Sequence, residues 1–483
     1  MSLRDVAVQS FCWKLLERGG SAMVQLLVQV VMARLLAPTQ FGALAMMLVF
    51  VNLGNVVVQS GLNTALIQSP VVDSKDYSTV FWMSLVVSII LYICIFTAAP
   101  HVADYYAMPE IVGHLRIISL LLIVNAYNSV QIAKITRDLE MRKIFIGSLW
   151  SVFISAVIGI GSALIGFGLW ALVFQQLAYQ VVNCLVHAMQ LDWRPSFEFS
   201  VKRSKELFTF GSKLLVSGLL ETGYQSLSNL IIGKMFNPTT LGLVSQGQKY
   251  PQAIGGMIDS AVQPVMLSTV SKVQDDKPYV KRLVRRALKT STFLMAPAMV
   301  LFATVAPTLI PAVLGEQWGP CVPYLQIYCL VFALLPIHST NLQALNGVGR
   351  SDVFLKLEVL KKVIGVSVLM FCAFVLKNVY ALVLSYLFTG IIATFINAAP
   401  NKSIIGYGYL EQVKDIAPSI TIALLCGVVL SPMNSLAIPV LFRLALQGAI
   451  FFLLYFGIAR VLRLEQLDYI IAVINELFNH RRK

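Results

Sequence analysis

The sequence ARLLAPTQFG at residues 33–42 returns two hundred residues later as GKMFNPTTLG at residues 233–242. Each copy has a basic residue, two apolar residues and then Pro-Thr-x-apolar-Gly in the same register, and each lies between two long apolar segments. The segments FCWKLL at 11–16 and FGSKLL at 210–215 precede the two copies at almost the same distance. Self-similarity at this spacing predicts two homologous halves in one chain.

The composition of the chain indicates that its solvent is lipid. Of 483 residues, 57% are hydrophobic and 12% are charged, whereas an ordinary soluble domain carries roughly 25% charged residues. The net charge is +14, but the charges come in small groups between apolar segments. Nucleic-acid binding would need them on one folded face, so we expect no nucleic-acid partner.

Neither a cleaved leader nor a thiol site is expected. The first apolar segment is interrupted by Lys14, Glu17 and Arg18 and runs on too long for the apolar core of a signal peptide, so we expect it to be the first span. The seven cysteines fall in or beside apolar segments and never form Cys-x-x-Cys. We interpret them as small core residues rather than as metal or redox groups.

Hydropathy predicts an all-α polytopic membrane protein. A helix needs about 20 residues to cross about 30 Å of hydrocarbon, and on that scale the sequence predicts fourteen transmembrane helices. Their limits are 10–33, 41–65, 77–99, 110–132, 144–165, 168–191, 207–232, 239–267, 288–313, 320–345, 353–376, 378–399, 415–431 and 437–460.

The basic residues predict the orientation of these spans. If the N-terminus is cytoplasmic, thirty of the 37 Lys and Arg residues fall in the inner segments, and the outer connections contain only Arg34, Lys234 and Lys377. The positive-inside rule then predicts that both termini are cytoplasmic.

The repeat and the span count together predict the organisation of the chain. Spans one to six match spans seven to twelve, and WALV at 170–173 matches YALV at 380–383. Since six is even, both halves insert the same way up, as parallel repeats with a cavity between them. We predict an N-terminal six-helix lobe at 1–206, a C-terminal six-helix lobe at 207–402, two additional transmembrane helices at 403–463 and a cytoplasmic amphipathic tail at 464–483. A tail helix in the cytoplasmic interface of the membrane and a tail helix packed on a neighbouring loop both fit this pattern.

Several short motifs carry a family resemblance. They are MSLR at 1–4, ARLL at 33–36 leading into QFG at 40–42, QDD at 274–276, GEQW at 315–318, and LQ at 325–326 with Cys329. On these motifs, which cover essentially the whole chain, it resembles the polysaccharide transporter branch of the multidrug/oligosaccharidyl-lipid/polysaccharide exporter superfamily, the Wzx-type flippases.

The resemblance implies a two-lobed transporter of the bacterial inner membrane. Such a protein moves undecaprenyl-pyrophosphate-linked oligosaccharide from the cytoplasmic to the periplasmic leaflet by alternating access, for the synthesis of exopolysaccharide, capsule or lipopolysaccharide. It also implies membrane lipids as partners, and polysaccharide polymerase and export machinery as candidate partners.

Two charged residues near the middle of predicted spans are the sharpest site candidates. Lys249 lies in span eight, and Glu221 lies at comparable depth in span seven. A charge at that depth is costly unless it faces a partner or a water-filled cavity. In one interpretation Lys249 binds the pyrophosphate and Glu221 changes its protonation or ion occupancy during transport. In the other, the two residues form a structural ion pair.

Other charged residues are weaker candidates for the substrate headgroup or for coupling. Arg116 in span four could extend into the cavity or to the outer headgroups. Lys14, Arg18 and Lys213 lie at the cytoplasmic entrances of spans one and seven. They suit an entrance for an anionic headgroup, but positive-inside anchoring also explains them. Asp259 in span eight could pair with one of them as an ion-coupling residue.

Amide and aromatic side chains are the candidates for contacts with the glycan. Amides within a membrane also hydrogen-bond neighbouring helices, so we expect only part of them to face substrate. The candidates are Gln25, Gln29, Asn125, Asn128, Gln246 and Tyr250.

A basic helical face precedes span nine. A solvated face of a positive-inside helix is one interpretation of it, and contact with anionic lipid is the other. Its members are Lys281, Arg282, Arg285, Arg286 and Lys289.

No enzyme signature is present in the sequence. The five histidines are scattered, with no His-Glu-x-x-His, P-loop or nucleophile elbow. We therefore expect a protein without catalytic activity, cofactor or metal. Two alternatives stay open: a drug or cation antiporter on the same scaffold, which favours an acidic cavity, and a polysaccharide polymerase or ligase, which normally carries a large periplasmic loop.

Overall fold

The computed structural model describes residues 20–59, 61–69 and 71–480. Within these residues eighteen α-helices follow one another and no β-strand occurs, which confirms the all-α fold. In chain order they are α1 Ala22–Leu35, α2 Pro38–Gln59, α3 Leu62–Gln68, α4 Ser74–Tyr105, α5 Ile111–Ile118, α6 Leu121–Arg137, α7 Met141–Leu164, α8 Leu169–Gln190, α9 Val201–Met235, α10 Pro238–Lys272, α11 Lys277–Leu314, α12 Val322–Ala333, α13 Leu335–Gly347, α14 Ser351–Phe371, α15 Val379–Ile404, α16 Tyr409–Leu430, α17 Val440–Val461 and α18 Glu465–His480.

Most of these helices are suited to a bilayer. Among the described residues, eleven helical segments are long and apolar enough to cross a membrane, so the chain is a multi-pass membrane protein. Three predicted spans fall outside this set. Helix α1 has only 14 residues, whereas α9 and α10 have 35 each but contain no stretch that is apolar enough. The total of fourteen spans stays a prediction.

Local sequence signals explain where several helices begin. Pro38 and Pro238 start α2 and α10, at positions where the missing N–H would have no helical partner anyway. Asp73 and Asp76 form a capping box at the start of α4. The Asp76 N–H donates to Asp73 Oδ1 at 2.8 Å, and the Asp73 N–H donates to Asp76 Oδ2 at 3.3 Å, which satisfies two N–H groups that the helix leaves open.

The chain divides into two compact units, Met1–Ser245 and Gln246–Lys483. The first unit contains α9 and the first turns of α10, because α9 packs along α2, α3 and α4. The lobes predicted at 1–206 and 207–402, and the additions at 403–463 and 464–483, stay predictions.

A partly buried ion pair holds α9 against α4 in the first unit. Arg203 Nε lies 2.9 Å from Asp76 Oδ1, and Arg203 Nη2 lies 3.0 Å from Asp76 Oδ2. Asp76 is 5% exposed, and Arg203 Nη2 also donates to the Val71 carbonyl. Two parallel N–H···O bonds fix direction as well as distance, so this pair orients the start of α9.

Both units contain a histidine–asparagine pair that joins two helices. In the first unit, His187 Nδ1 lies 3.0 Å from Asn128 Oδ1, which links α8 to α6. In the second unit, His338 Nδ1 lies 3.1 Å from Asn397 Nδ2, which links α13 to α15. The second pair follows the first by 210 residues with the histidine and asparagine exchanged. The WALV and YALV segments have the same offset, so the pair belongs to the repeat.

The second unit is built around α11. One buried cluster joins Phe293 of α11 to Tyr455 of α17 and Leu467 of α18, with Ile470 packed against it. Helix α18 is thus packed on the helices α11 and α17, rather than on a loop. Its position relative to the membrane interface stays a prediction.

Candidate functional site

The two copies of the Pro-Thr motif meet in space within the first unit. Thr39 Oγ1 and Thr239 Oγ1 are 2.7 Å apart. A Cβ atom added at Gly42 would lie 1.8 Å from the Pro238 carbonyl oxygen, and one added at Gly242 would lie 1.9 Å from the Pro38 carbonyl oxygen. These reciprocal distances describe a local two-fold relation between the starts of α2 and α10. Glycine is required at both positions because only its missing side chain permits this approach.

A lysine in the last turn of α9 packs beside the starts of α2 and α10. The Lys234 ammonium, just before α10, lies 4.0 Å from the centre of the Tyr105 ring at the end of α4, and it donates a hydrogen bond to the Tyr105 carbonyl oxygen. Together with the threonine pair, this contact joins the end of α4 and the starts of α2 and α10 into one closure, which we call the Pro-Thr closure.

Lys249 lies eleven residues into α10, and its side chain is exposed. At 1.5 Å per residue this is about 16 Å from the start of the helix, close to half the thickness of the hydrocarbon region. Pro251 follows within α10 and removes one helical hydrogen bond, so α10 can bend beside Lys249.

The side chains of Gln246 and Tyr250, close to Lys249 in α10, are buried. Gln246 is 4% exposed and Tyr250 is 9% exposed. Within the described part of the chain, Gln246 Oε1 and the Tyr250 hydroxyl have no hydrogen-bond partner. Gln246 and Tyr250 are thus part of the packed face of α10, whereas Lys249 is on its open face.

The two acidic candidates have amide neighbours on their own helices. Glu221 of α9 is exposed and accepts a hydrogen bond from Gln225 Nε2 at 2.7 Å. Asp259 of α10 accepts one from Gln263 Nε2, and Gln343 Nε2 donates to Gln263 Oε1 at 3.3 Å. A chain of amides therefore connects Asp259 to α13. The two interpretations of Lys249 and Glu221 both stay predictions.

Arg116 is directed toward α4. Its Nε donates to the Phe96 carbonyl at 3.1 Å, and its guanidinium lies 4.2 Å from the centre of the Phe96 ring. The Phe96 side chain is 39% exposed, as expected of a residue that faces lipid. The two alternatives for Arg116, the cavity and the outer headgroups, both stay predictions.

The predicted amides divide between open and packed positions. Gln25 is exposed and Gln29 is half-buried on α1. Asn125 Nδ2 donates to Asn55 Oδ1 at 2.8 Å, and Asn128 Oδ1 is hydrogen-bonded to His187 Nδ1. The last two contacts join helices, which is the alternative use of a membrane amide. Lys14 and Arg18 lie outside the described residues, as does the side chain of Lys213.

Sequence reasoning missed the two histidine–asparagine pairs, because it treated the histidines as scattered. The signal was present in the sequence: applying the WALV-to-YALV offset of 210 to Asn128 gives His338, and applying it to His187 gives Asn397. It also did not predict that the two Pro-Thr motifs touch.

These features define the class of protein as a multi-pass helical membrane protein. The solved structure of "Lipid II flippase MurJ, inward closed conformation" is similar over 94% of this chain and 98% of that one, with a TM-score of 0.76 and 13% identity. This likeness shows the fold.

Residues 31–323 match the family model described as "Polysaccharide biosynthesis protein", and the chain belongs to this family. It is 27% identical over 346 residues to "Succinoglycan biosynthesis transport protein ExoT" of Rhizobium meliloti (strain 1021), which covers 71% of this chain and 69% of that one. It is 20% identical over 445 residues to "Lipopolysaccharide biosynthesis protein WzxC" of Escherichia coli (strain K12), covering 89% of each. The resemblance read from the sequence motifs is confirmed.

Proposed function

We propose that this protein is a flippase that moves an undecaprenyl-pyrophosphate-linked oligosaccharide repeat unit across the bacterial inner membrane. It would act as a carrier without catalysis, by alternating access, with both termini in the cytoplasm. The names of the relatives support this proposal, since they refer to polysaccharide transport and biosynthesis, as does a fold like that of a lipid II flippase.

One observation carries the proposal: a lysine is exposed near mid-membrane depth on a long helix. A lysine facing hydrocarbon is costly, so the exposed side of Lys249 is expected to face a water-filled cavity rather than lipid. The pyrophosphate of the substrate is such an anion, and an ammonium binds it as a compact point charge. We propose that Lys249 binds this pyrophosphate in a water-filled cavity, with Glu221 and Asp259 as coupling residues.

The remaining candidates have lesser roles in this proposal. Gln25, Gln29 and Glu221 lie on open or half-open positions and are proposed to contact the glycan or the ion that accompanies it. Lys14, Arg18 and Lys213 are proposed to receive the headgroup at the cytoplasmic side. Polysaccharide polymerase and export machinery are proposed partners.

The test is to delete the gene in its host and determine on which face of the membrane the lipid-linked repeat unit accumulates, by glycan labelling of spheroplasts. Accumulation on the cytoplasmic face supports the flippase. Accumulation on the periplasmic face would indicate a polymerase or ligase instead. No accumulation would favour the antiporter.

Complementation with variants then tests Lys249. Lys249→Ala is expected to abolish transport at unchanged protein level, and Lys249→Arg to retain part of it. Lys272→Ala is the matched control, because Lys272 is exposed at the far end of the same helix. Full transport by Lys249→Ala rules out the pyrophosphate role. A low protein level that Glu221→Gln restores indicates the ion pair instead.

A further inference from the structure

A basic cavity lies between α11 and α18, at the opposite end of α11 from its apolar run. Its volume is about 460 Å³. Four cationic side chains of α11 line it at positions i, i+3, i+4 and i+7, which is one face of a helix. The lining residues are Arg282, Arg285, Arg286, Lys289, Thr290, Glu465, Gln466 and Tyr469.

Two of the four cations already have carboxylate partners. Arg285 Nη2 lies 2.6 Å from Asp415 Oδ1, and Lys289 Nζ lies 2.6 Å from Glu465 Oε2. The hydrogen bond from Lys289, and then its charge, lower the pKa of Glu465, so this carboxylate is ionised at neutral pH. These two pairs attach α16 and the start of α18 to α11.

The other two cations have aromatic neighbours instead. The Arg282 guanidinium lies 5.5 Å from the centre of the Tyr279 ring, and the Arg286 guanidinium lies 5.0 Å from the centre of the Tyr469 ring. Both arginines are exposed, and neither has a carboxylate within ion-pair distance in the described chain. Aromatic rings hold a guanidinium in place without neutralising it, so two positive charges remain open toward the cavity.

A buried amide in the cavity wall has unused hydrogen-bonding capacity. Gln466 is 5% exposed and lines the cavity. Its Oε1 has no hydrogen-bond partner among the described residues. A buried polar atom without a partner is costly, and a ligand with hydroxyl groups beside its negative charge would satisfy it.

The position of the cavity along α11 indicates a membrane ligand. Helix α11 has 38 residues, about 57 Å at 1.5 Å per residue, which exceeds the hydrocarbon thickness of about 30 Å. Counted back from Leu314, about 20 residues of this helix fill the hydrocarbon, and the boundary falls near Phe293. Lys289, Arg286 and Arg282 lie about 6, 10 and 16 Å beyond this boundary, on its polar side, and long arginine side chains can extend back toward the lipid headgroups.

An apolar groove on α17 lies close in sequence to the α18 residues that line the basic cavity. It has a volume of about 280 Å³, and Leu453, Leu454, Gly457, Ile458, Val461 and Leu462 line it. It ends at Leu462, three residues before Glu465 of the cavity. Val461 is 81% exposed and Leu453 is 74% exposed. The last turns of α17 thus offer an acyl chain an apolar path, whereas a free phosphate would need none.

We propose that the α11–α18 cavity binds the phosphate headgroup of an anionic glycerophospholipid. The guanidinium groups of Arg282 and Arg286 donate to the phosphate oxygens, which is the geometry that arginine favours, and Gln466 contacts the headgroup hydroxyl. This lipid site is separate from the Lys249 site and does not depend on the proposed transport function.

The test uses the full-length protein, purified in a neutral detergent, with lipid binding followed by native mass spectrometry. Wild-type protein is expected to retain one phosphatidylglycerol in preference to phosphatidylcholine. The double variant Arg282→Gln/Arg286→Gln is expected to bind phosphatidylglycerol about 25-fold more weakly, from two charges at a membrane surface. Lys202→Gln/Lys205→Gln is the matched control, because it removes two exposed charges near the start of α9 and is expected to bind as wild type does.

Three results would overturn the proposal. One is equal phosphatidylglycerol binding by the cavity variant and wild type. The second is an equal loss in the control variant, which would indicate general surface charge. The third is displacement of the lipid by millimolar glycerol phosphate, which would make the ligand a soluble phosphate. Arg282→Lys/Arg286→Lys keeps the charge and is expected to recover part of the affinity, so a folding defect is distinguishable from a lost site.

Discussion

Replacing Gly42 by alanine is expected to open the Pro-Thr closure. In the structure a Cβ atom at Gly42 would lie 1.8 Å from the Pro238 carbonyl oxygen, whereas an ordinary contact begins at 3.4 Å. The starts of α2 and α10 must therefore separate by about 1.6 Å. The nearest competing atom is backbone at a helix start, so no side chain can rotate away to relieve the clash.

The separation also breaks the threonine pair. Thr39 Oγ1 and Thr239 Oγ1 are 2.7 Å apart, and a further 1.6 Å takes them past hydrogen-bonding distance. The lost hydrogen bond contributes about 1 kcal/mol, and the overpacked backbone contact adds at least as much. A cost of about 2 kcal/mol changes the ratio of closed to open states about 25-fold, since 1.4 kcal/mol is a factor of ten.

Disulfide formation between Thr39→Cys and Thr239→Cys measures the closed state. The native cysteines are replaced first, and free thiols are counted with a polyethylene-glycol maleimide after oxidation. The pair is expected to cross-link readily in the parent protein and at least tenfold more slowly with Gly42→Ala. Gly242→Ala is expected to act in the same way, because its Cβ would lie 1.9 Å from the Pro38 carbonyl oxygen.

The double variant gives a sharper test. Because one separation of the helices relieves both clashes, Gly42→Ala with Gly242→Ala is expected to cost little more than either alone. Gly161→Ala is the matched control, since a Cβ at Gly161 of α7 meets nothing within 4 Å. Unchanged cross-linking in Gly42→Ala, or a loss as large in Gly161→Ala, would refute the reasoning.

Two further predictions concern stability, each measured as the midpoint of thermal unfolding of the detergent-purified protein. Asn128→Ala is expected to lower this midpoint, because an unsatisfied buried histidine reduces the free energy of unfolding by about 1–3 kcal/mol. The exchange Asn128→His/His187→Asn should restore most of the loss, because the second unit has the pair in that order. A double variant no better than the single one contradicts this. Asp76→Ala is expected to cost about 2–3 kcal/mol, less than for a fully buried pair because the Arg203 side chain is 32% exposed. The double variant Asp76→Ala/Arg203→Met should recover part of that stability, because it also removes the unpaired Arg203 charge. No recovery would mean that this unpaired charge does not cause the loss.

The sequence predicted the parts of this structure that depend on local pattern. Apolar segments of about 20 residues predicted the spans, and Pro38 and Pro238 lie where helices begin. The Asp73 to Asp76 spacing contained a capping box that the sequence reasoning did not use. Hydropathy was a poorer guide to α9 and α10, because helices that face water or protein need not be apolar.

The candidate site was predicted less completely, since a side chain's depth is visible in the sequence but its direction is not. Lys249 and Tyr250 are adjacent in α10, yet the first is exposed and the second is buried. The sequence places Arg116 near the outer end of a span, but only the structure shows that its side chain contacts Phe96. Asn128 carries the amide expected of a glycan contact, but it is hydrogen-bonded to His187.

By itself the sequence determined that this is a helical membrane protein, and it predicted two homologous halves, because hydrophobic length and repeated motifs are properties of short segments. Only the tertiary structure decided that the two Pro-Thr motifs touch, that each repeated histidine lies beside its asparagine, and that two of the four cations on one face of α11 have no carboxylate partner among the described residues. Each of these depends on which distant segments are packed together. That choice is made by the packing of whole helices, and no window of the sequence contains it.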